Sequence, residues 1–173
     1  MNLILLMALL AVNGSSAIAT CGDAVEGLAL CLKPSDAPGG VTLELKNIGT
    51  KDLVLLVGVA LANGQRQYFS EVELTYTTEA DVCRGPLAEP DFVAGRMDQL
   101  FLPLAAGASI TLPVPAPFMK CEHGGWLSKM KPTRRFTVRA VFVGKKAETK
   151  DLSLITTWRG TATSSLVVIG GKP

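Results

Sequence analysis

The sequence predicts an all-β protein folded as an antiparallel β-sandwich of seven or eight strands. Short segments alternate apolar and polar residues with a period of two, which is typical of half-buried strands. Turn signals separate these segments at short intervals. No segment shows the 3.6-residue apolar periodicity of an amphipathic helix.

The first strands follow from this alternation. Residues 27–33 carry leucine at every second position, and residues 41–46 alternate apolar residues with Thr, Glu and Lys. Asn47 to Thr50 is a predicted turn. Residues 53–61 are apolar at both parities, which predicts a central strand covered on each side. The pair Asn63-Gly64 predicts a type I′ hairpin turn at the end of that strand.

The returning strand is expected to have two distinct faces. One face would carry Tyr68, Val72, Leu74 and Tyr76, and the other, solvated face would carry Glu71, Glu73 and Thr75. Further strands are expected at 110–114, 136–142 and 166–169. Thr77–Met97 and Pro115–Thr133 contain several prolines and glycines and are expected to be long loops, each pinned by one cysteine.

The N-terminus has the features of an export signal. Leu3 to Val12 is an apolar run, and Ala17-Ile18-Ala19 is a small-x-small cleavage site. The run is shorter than the roughly 20 residues of a membrane-spanning helix. We therefore expect residues 1–19 to be a cleaved signal peptide and residues 20–173 to be a single domain without a transmembrane span. The mature chain would be secreted or periplasmic, with a lipid anchor at Cys21 as the alternative.

All four cysteines, Cys21, Cys31, Cys83 and Cys121, lie in the part that would be exported, where disulfides form and persist. Four cysteines allow three connectivities. Cys21 and Cys31 are close in sequence at the mature N-terminus, whereas Cys83 and Cys121 fall in the two predicted loops. The favoured pairing is therefore Cys21 with Cys31 and Cys83 with Cys121.

Charge is distributed unevenly along the chain. Residues 20–119 hold 6 basic and 12 acidic residues, whereas residues 120–159 hold 10 basic and 3 acidic residues. The basic residues Lys129, Lys131, Arg134 and Arg135 are weak candidates for an anion-binding face, although solvated strand faces produce the same pattern. Aromatic residues are not interleaved with them, so no nucleic-acid partner is expected. A protein or cell-envelope partner is expected instead.

Few residues in the chain suggest catalysis. A hydrolase that activates Ser or Cys usually needs a histidine base, and the single histidine, His123, lies outside any recognisable nucleophile motif. Glu71 and Glu73 do not form an obvious acid–base pair. No catalytic residue and no cofactor are therefore predicted. The alternative function is metal handling by Met119, Cys121 and His123, which alternate along the chain, with Cys83 as a further ligand.

Four segments in this order support a family resemblance. They are residues 41–49, 102–112, 136–142 and 158–165. Together they resemble the immunoglobulin-like sandwich domains found in many exported bacterial proteins of unassigned function. The resemblance implies an immunoglobulin-like fold and an exported, non-catalytic binding or structural module, and it carries no ligand residues onto this chain.

Overall fold

A computed structural model describes residues 19–35, 40–62, 66–87, 95–114, 119–123, 126–127, 135–148 and 155–170. Within these ranges every regular element is a strand, and no helix long and apolar enough to cross a membrane is found. The strands are β1 (Thr20–Cys21), β2 (Leu28–Pro34), β3 (Val41–Asn47), β4 (Leu53–Leu61), β5 (Gln67–Tyr68), β6 (Val72–Thr77), β7 (Val82–Pro86), β8 (Met97–Leu104), β9 (Ser109–Pro113), β10 (Met119–Cys121), β11 (Trp126–Leu127), β12 (Phe136–Val143), β13 (Thr161–Thr163) and β14 (Val167–Ile169).

The strands form three sheets in which every pairing is antiparallel. The four-stranded sheet has the order β1-β2-β3-β9, and the three-stranded sheet has the order β5-β4-β8. The seven-stranded sheet has the order β11-β10-β7-β6-β12-β13, with β14 also paired to β12. The all-β, antiparallel fold predicted from the sequence is confirmed, and an immunoglobulin-like sandwich is compatible with it.

Two antiparallel segments connect the four-stranded sheet to the three-stranded sheet, and both bend between the sheets. We call these segments, β3–β4 and β8–β9, the two arms. The chain runs from β3 into β4 and returns through β8 into β9, so that β3 pairs with β9 and β4 pairs with β8. The ladder is interrupted between the Lys46–Ser109 pair and the Leu53–Leu104 pair. Both arms therefore turn at the same level, where the predicted turn after Asn47 is found.

Asn47 holds this bend together. It is fully buried, and its Nδ2 donates hydrogen bonds to the carbonyl oxygens of Lys51 at 2.8 Å and Leu104 at 3.0 Å. Its Oδ1 accepts a hydrogen bond from the Gly49 N–H at 3.0 Å. Its backbone N–H and C=O bond across to residues 107–108 of the other arm. One side chain thus satisfies backbone groups on both arms that the interrupted ladder leaves unpaired.

A bulge in β4 sets the path of the following segment. The register between β4 and β8 shifts between Leu56 and Gly58. Gly58 has a φ of 153°, and a Cβ there would lie 1.9 Å from the carbonyl oxygen of Tyr68. The N–H of Glu71 donates to the carbonyl of Val57 at 3.3 Å. Glycine is therefore required where the chain leaves β5 and passes close to β4.

The chain returns antiparallel to β4 in β5, as expected for a hairpin, but the predicted single strand at 68–76 is wrong, because it is divided between two sheets. β5 pairs with β4, whereas β6 pairs with β7 and β12 in the seven-stranded sheet. The chain crosses between sheets at residues 69–71. The predicted faces are nevertheless found, since Tyr68, Val72, Leu74 and Tyr76 are buried and Glu73 is exposed. Residues 63–65 lie outside the described part of the chain.

The two predicted long loops are also corrected. β7 lies within Thr77–Met97, and β10 and β11 lie within Pro115–Thr133. They extend the seven-stranded sheet beyond β6. These strands show no clear alternation because β10 and β11 are only three and two residues long and β7 contains Gly85 and Pro86. Cys83 in β7 and Cys121 in β10 are buried.

Residues of all three sheets contribute to one hydrophobic cluster. The inward leucines of β2 and β3 pack in it with the buried residues of β4, β6 and β12. Trp158 is 5 % exposed and stacks on Phe142, with ring centroids 5.5 Å apart and an interplanar angle of 13°. Its Nε1 donates to the carbonyl of Val25 at 3.3 Å. Trp158 is therefore part of the core.

Candidate functional site

The first disulfide joins Cys21 and Cys31, which are directly opposite each other in β1 and β2. Cys31 is buried, and its Sγ lies 2.00 Å from that of Cys21. A lipid anchor would need the same Cys21 sulfur for a thioether bond. The lipidated alternative is therefore incompatible with the disulfide-bonded chain.

The second disulfide joins Cys83 and Cys121, which are opposite each other in β7 and β10, with an S–S distance of 2.05 Å. Both cysteines are buried. All four cysteines of the chain are thus in disulfides, in the two pairs favoured by the sequence analysis. Disulfides of this kind persist in an oxidising, extracytoplasmic compartment.

The metal-binding alternative loses its thiolate ligands in this arrangement. Met119 and Cys121 both belong to β10, but the Cys121 sulfur is bonded to Cys83. Across the described ranges, no group of three or more His, Cys, Asp or Glu side chains is placed to hold a metal ion. With the second disulfide intact, Cys83 and Cys121 therefore have no thiolate to offer to the soft sulfur–imidazole site inferred from the sequence.

His123 lies beside Asp81. The His123 Nδ1 is 3.0 Å from the Asp81 Oδ1, and the His123 side chain is 76 % exposed. The backbone N–H groups of Val82 and His123 donate to the same Asp81 oxygen at 2.8 and 3.3 Å. The pair ties the end of β10 to the start of β7, just beyond the Cys83–Cys121 disulfide.

These contacts change the acidity of Asp81. Desolvation opposes the charged carboxylate, but the hydrogen bonds from His123 and Val82 and the charge of His123 outweigh it and lower the pKa of Asp81. A carboxyl with a lowered pKa in the folded state stabilises the fold above its unfolded-state pKa. That contribution is lost as the pH falls through the folded-state value.

We expect Asp81→Asn to make the free energy of unfolding less dependent on pH in the acidic range. The free energy of unfolding of the wild type should fall more steeply below about pH 4 than that of the variant. His123→Ala keeps the two backbone hydrogen bonds and should give an intermediate slope. Denaturant unfolding at pH 2.5 to 7 measures all three proteins. Equal slopes for the wild type and Asp81→Asn would contradict this assignment.

Glu71 differs from the solvated position expected for it. Its side chain is 17 % exposed, and one carboxylate oxygen lies 2.6 Å from the Lys145 ammonium nitrogen. Glu73, two residues along, is exposed. The two carboxylates therefore have different surroundings, and Glu71 is used in an ion pair between the start of β6 and the segment after β12.

The candidate basic residues are only partly covered by the structure. Arg135 is exposed at the start of β12. Lys129, Lys131 and Arg134 lie outside the described residues. The anion-binding face expected from these four residues therefore stays a prediction.

A groove of about 350 Å³ has two walls. One wall is formed by the end of β1 and the segment that follows it, and the other by β13 and the residues after it. Its lining is rich in hydroxyl groups and consists of Cys21, Gly22, Asp23, Val25, Thr161, Thr163, Ser164 and Ser165. The Ser165 Oγ donates to the carbonyl of Cys21 at 2.6 Å. No motif in the sequence indicated this groove, because its two sides are about 140 residues apart.

The chain matches no protein-family model, no curated protein and no solved structure.

Proposed function

We propose that the chain is an exported, non-catalytic binding module with an immunoglobulin-like fold, stabilised by two disulfides. The observation that carries this proposal is the use of all four cysteines in cross-strand disulfides. Each bond joins two neighbouring strands of one sheet, as expected for a small domain that works outside the reducing cytoplasm.

The surroundings of the reactive side chains support binding rather than catalysis. The sulfur atoms of Cys83 and Cys121 are bonded to each other, and Glu71 is paired with Lys145. His123 is largely exposed and pairs with Asp81 at the end of a strand. These residues connect strands to one another, whereas a binding module needs mainly a rigid scaffold with accessible surfaces.

The N-terminus and the disulfides of the exported protein test whether the chain is processed and cross-linked as proposed. We expect a chain that starts at Thr20, with an intact mass four hydrogens below that of the reduced form because of its two disulfides. No thiol should react in the native protein, after unfolding, or after treatment with a chelator. Two thiols that appear after chelation would favour the metal-handling alternative, and an acylated Cys21 would contradict the processing.

A capture experiment tests the binding part of the proposal. The disulfide-bonded mature protein is immobilised and exposed to the native extracytoplasmic fraction. It should retain a component of that fraction, and soluble mature protein should displace this component. The reduced and alkylated protein is the matched control, since it has the same composition without the fold. Equal retention by both forms, or none by either, would contradict a binding function.

A further inference from the structure

β8 is the outer strand of the three-stranded sheet, and half of its backbone groups point away from β4. The Ala62 N–H donates to the Arg96 carbonyl at 3.0 Å, so the backbone groups of Arg96 point towards β4. Hydrogen-bonded pairs recur at every second residue of an antiparallel ladder. The N–H and C=O groups of Met97, Gln99 and Phe101 therefore point outward.

The position of Pro103 agrees with this assignment. The carbonyl of Val54, which is opposite Pro103, accepts from the Trp158 N–H at 2.9 Å. Pro103 therefore occupies a further outward position, where its missing N–H removes no bond to β4. Among the described residues, β8 pairs with β4 alone, and no loop backbone bonds to its outward N–H groups. Such a row of donors and acceptors is a template for an added strand.

The side chains beside these groups are apolar and only partly covered. Leu100, Phe101 and Leu102 are half-buried. Leu100 and Leu102 pack against the core, and Phe101 belongs to the opposite face because side chains alternate along a strand. We call residues 99–102, which include no charged residue and no proline, the open edge. A strand added beside the open edge would cover apolar surface on both faces of the sheet.

The open edge is bounded at both ends. Pro103 follows it, and before it Asp98 accepts a hydrogen bond from the Arg96 Nε at 2.8 Å. Proline and charged side chains are the means by which proteins protect edge strands from pairing. These flanking residues limit the pairing to one short stretch.

We propose that the open edge pairs with the open edge of a second copy of the chain, antiparallel and about a two-fold axis at Leu100. Gln99 then exchanges both backbone hydrogen bonds with Phe101 of the second copy, and symmetry forms the reverse pair. Leu100 lies directly opposite Leu100 of the second copy, so each covers the other on the core side. A second copy thus supplies free backbone groups and apolar side chains at matching positions.

Charge and backbone chemistry favour this register over its neighbours. Asp98 lies opposite Leu102 of the second copy, so the two Asp98 side chains are about 14 Å apart. Placing Gln99 opposite itself would bring them to diagonal positions about 8 Å apart, where like charges repel. Placing Phe101 opposite itself would put Gln99 opposite Pro103, which has no N–H to donate. The pairing adds a second copy to the module and is independent of the partner proposed above.

The Kd of dimerisation of the disulfide-bonded mature protein, measured by sedimentation equilibrium, tests this proposal. Gln99→Pro removes an outward N–H at an edge position. Gln99→Ala is the matched control, because both variants lose the side-chain contact with the Glu148 N–H but alanine keeps its own N–H. We expect Gln99→Ala to dimerise as the wild type does. Gln99→Pro should weaken the Kd about tenfold, because each copy loses one donor of the interface.

Cross-linking tests the register and leaves the backbone donors in place. Leu100→Cys puts two thiols directly opposite each other, as the cysteines of both native disulfides are. Mild oxidation should therefore yield a covalent dimer on a non-reducing gel. Asp98→Cys is the control and should stay monomeric on the gel, because the two thiols would be about 14 Å apart. This experiment decides the matter if Gln99→Pro does not fold.

Three results would overturn the proposal. A wild type that stays monomeric up to about 1 mM would exclude self-association. Equal Kd values for the wild type and a folded Gln99→Pro would show that the copies meet at another surface. Equal cross-linking through positions 98 and 100 would exclude the register. In each case the capture experiment still decides the proposed binding function separately.

Discussion

Replacing Asn47 by alanine is expected to lower the free energy of unfolding by about 2–4 kcal/mol, because buried polar groups are left without partners. The Asn47 side chain makes three hydrogen bonds to the backbone at the bend, where its residue is fully buried. Alanine would remove the buried hydrogen bond to the Leu104 carbonyl and the part-buried hydrogen bonds to the Lys51 carbonyl and from the Gly49 N–H. Denaturant unfolding of the purified protein at pH 7 measures the change.

Two further variants separate hydrogen bonding from simple loss of volume. Asn47→Asp keeps the acceptor for Gly49 but faces the carbonyls of Lys51 and Leu104 without a donor. Burial favours the neutral carboxyl, so this variant should lose more stability at pH 7 than at pH 4. Lys46→Ala, at an exposed neighbouring position, should change stability by less than about 0.5 kcal/mol. A loss below about 1 kcal/mol in Asn47→Ala would contradict the role of Asn47 at the bend.

Removal of the second disulfide is expected to have an effect of similar size. The Cys83–Cys121 bond closes a loop of 38 residues, for which the chain-entropy model gives about 4 kcal/mol. Small domains have a total stability of about 5–15 kcal/mol, so Cys83→Ala with Cys121→Ala should lower the Tm markedly. Alanine is preferred to serine because both positions are buried and a hydroxyl there would need a partner.

The first disulfide provides the matched comparison. It closes a loop of 10 residues, for which the same model gives about 3 kcal/mol. Cys21→Ala with Cys31→Ala should therefore lower the free energy of unfolding less than removal of the second disulfide does. His123→Ala removes one exposed contact and should change the Tm least. Non-reducing peptide mapping identifies the bonds directly. A linked peptide that joins Cys31 to Cys83 or to Cys121, or a larger loss from the first pair, would contradict the expected order.

The strands that the sequence predicts well are those with one buried face. In β3 and β12 buried and accessible residues alternate, and this alternation is visible in the sequence. β8 has no such alternation, because most of its residues are half-buried, and it contains Pro103. As β8 is the outer strand of its sheet, the missing N–H of proline is tolerated there.

The candidate site could be predicted only in part. The cysteine pairing follows from sequence spacing, but the neighbours of a residue across the seven-stranded sheet depend on the register of β12, β6, β7 and β10, which are not all consecutive in the chain. A period-two pattern predicts which face of the sheet a residue occupies. It does not predict which residue lies opposite it on the next strand. Likewise, the contact between Glu71 and Lys145 joins segments 74 residues apart, and no local pattern indicates it.

The contacts between the two ends of the chain have a consequence for folding. The Val25 carbonyl accepts from the Trp158 indole, 133 residues away, and the Cys21 carbonyl accepts from Ser165, 144 residues away. Such closure requires nearly the whole chain and is slow compared with local pairing. β1 and β2, in contrast, can pair as soon as they are synthesised. Once the chain is in an oxidising compartment, the Cys21–Cys31 bond can hold β1 over the edge of β2 and so protect this edge from pairing with other chains before the C-terminal segments have packed.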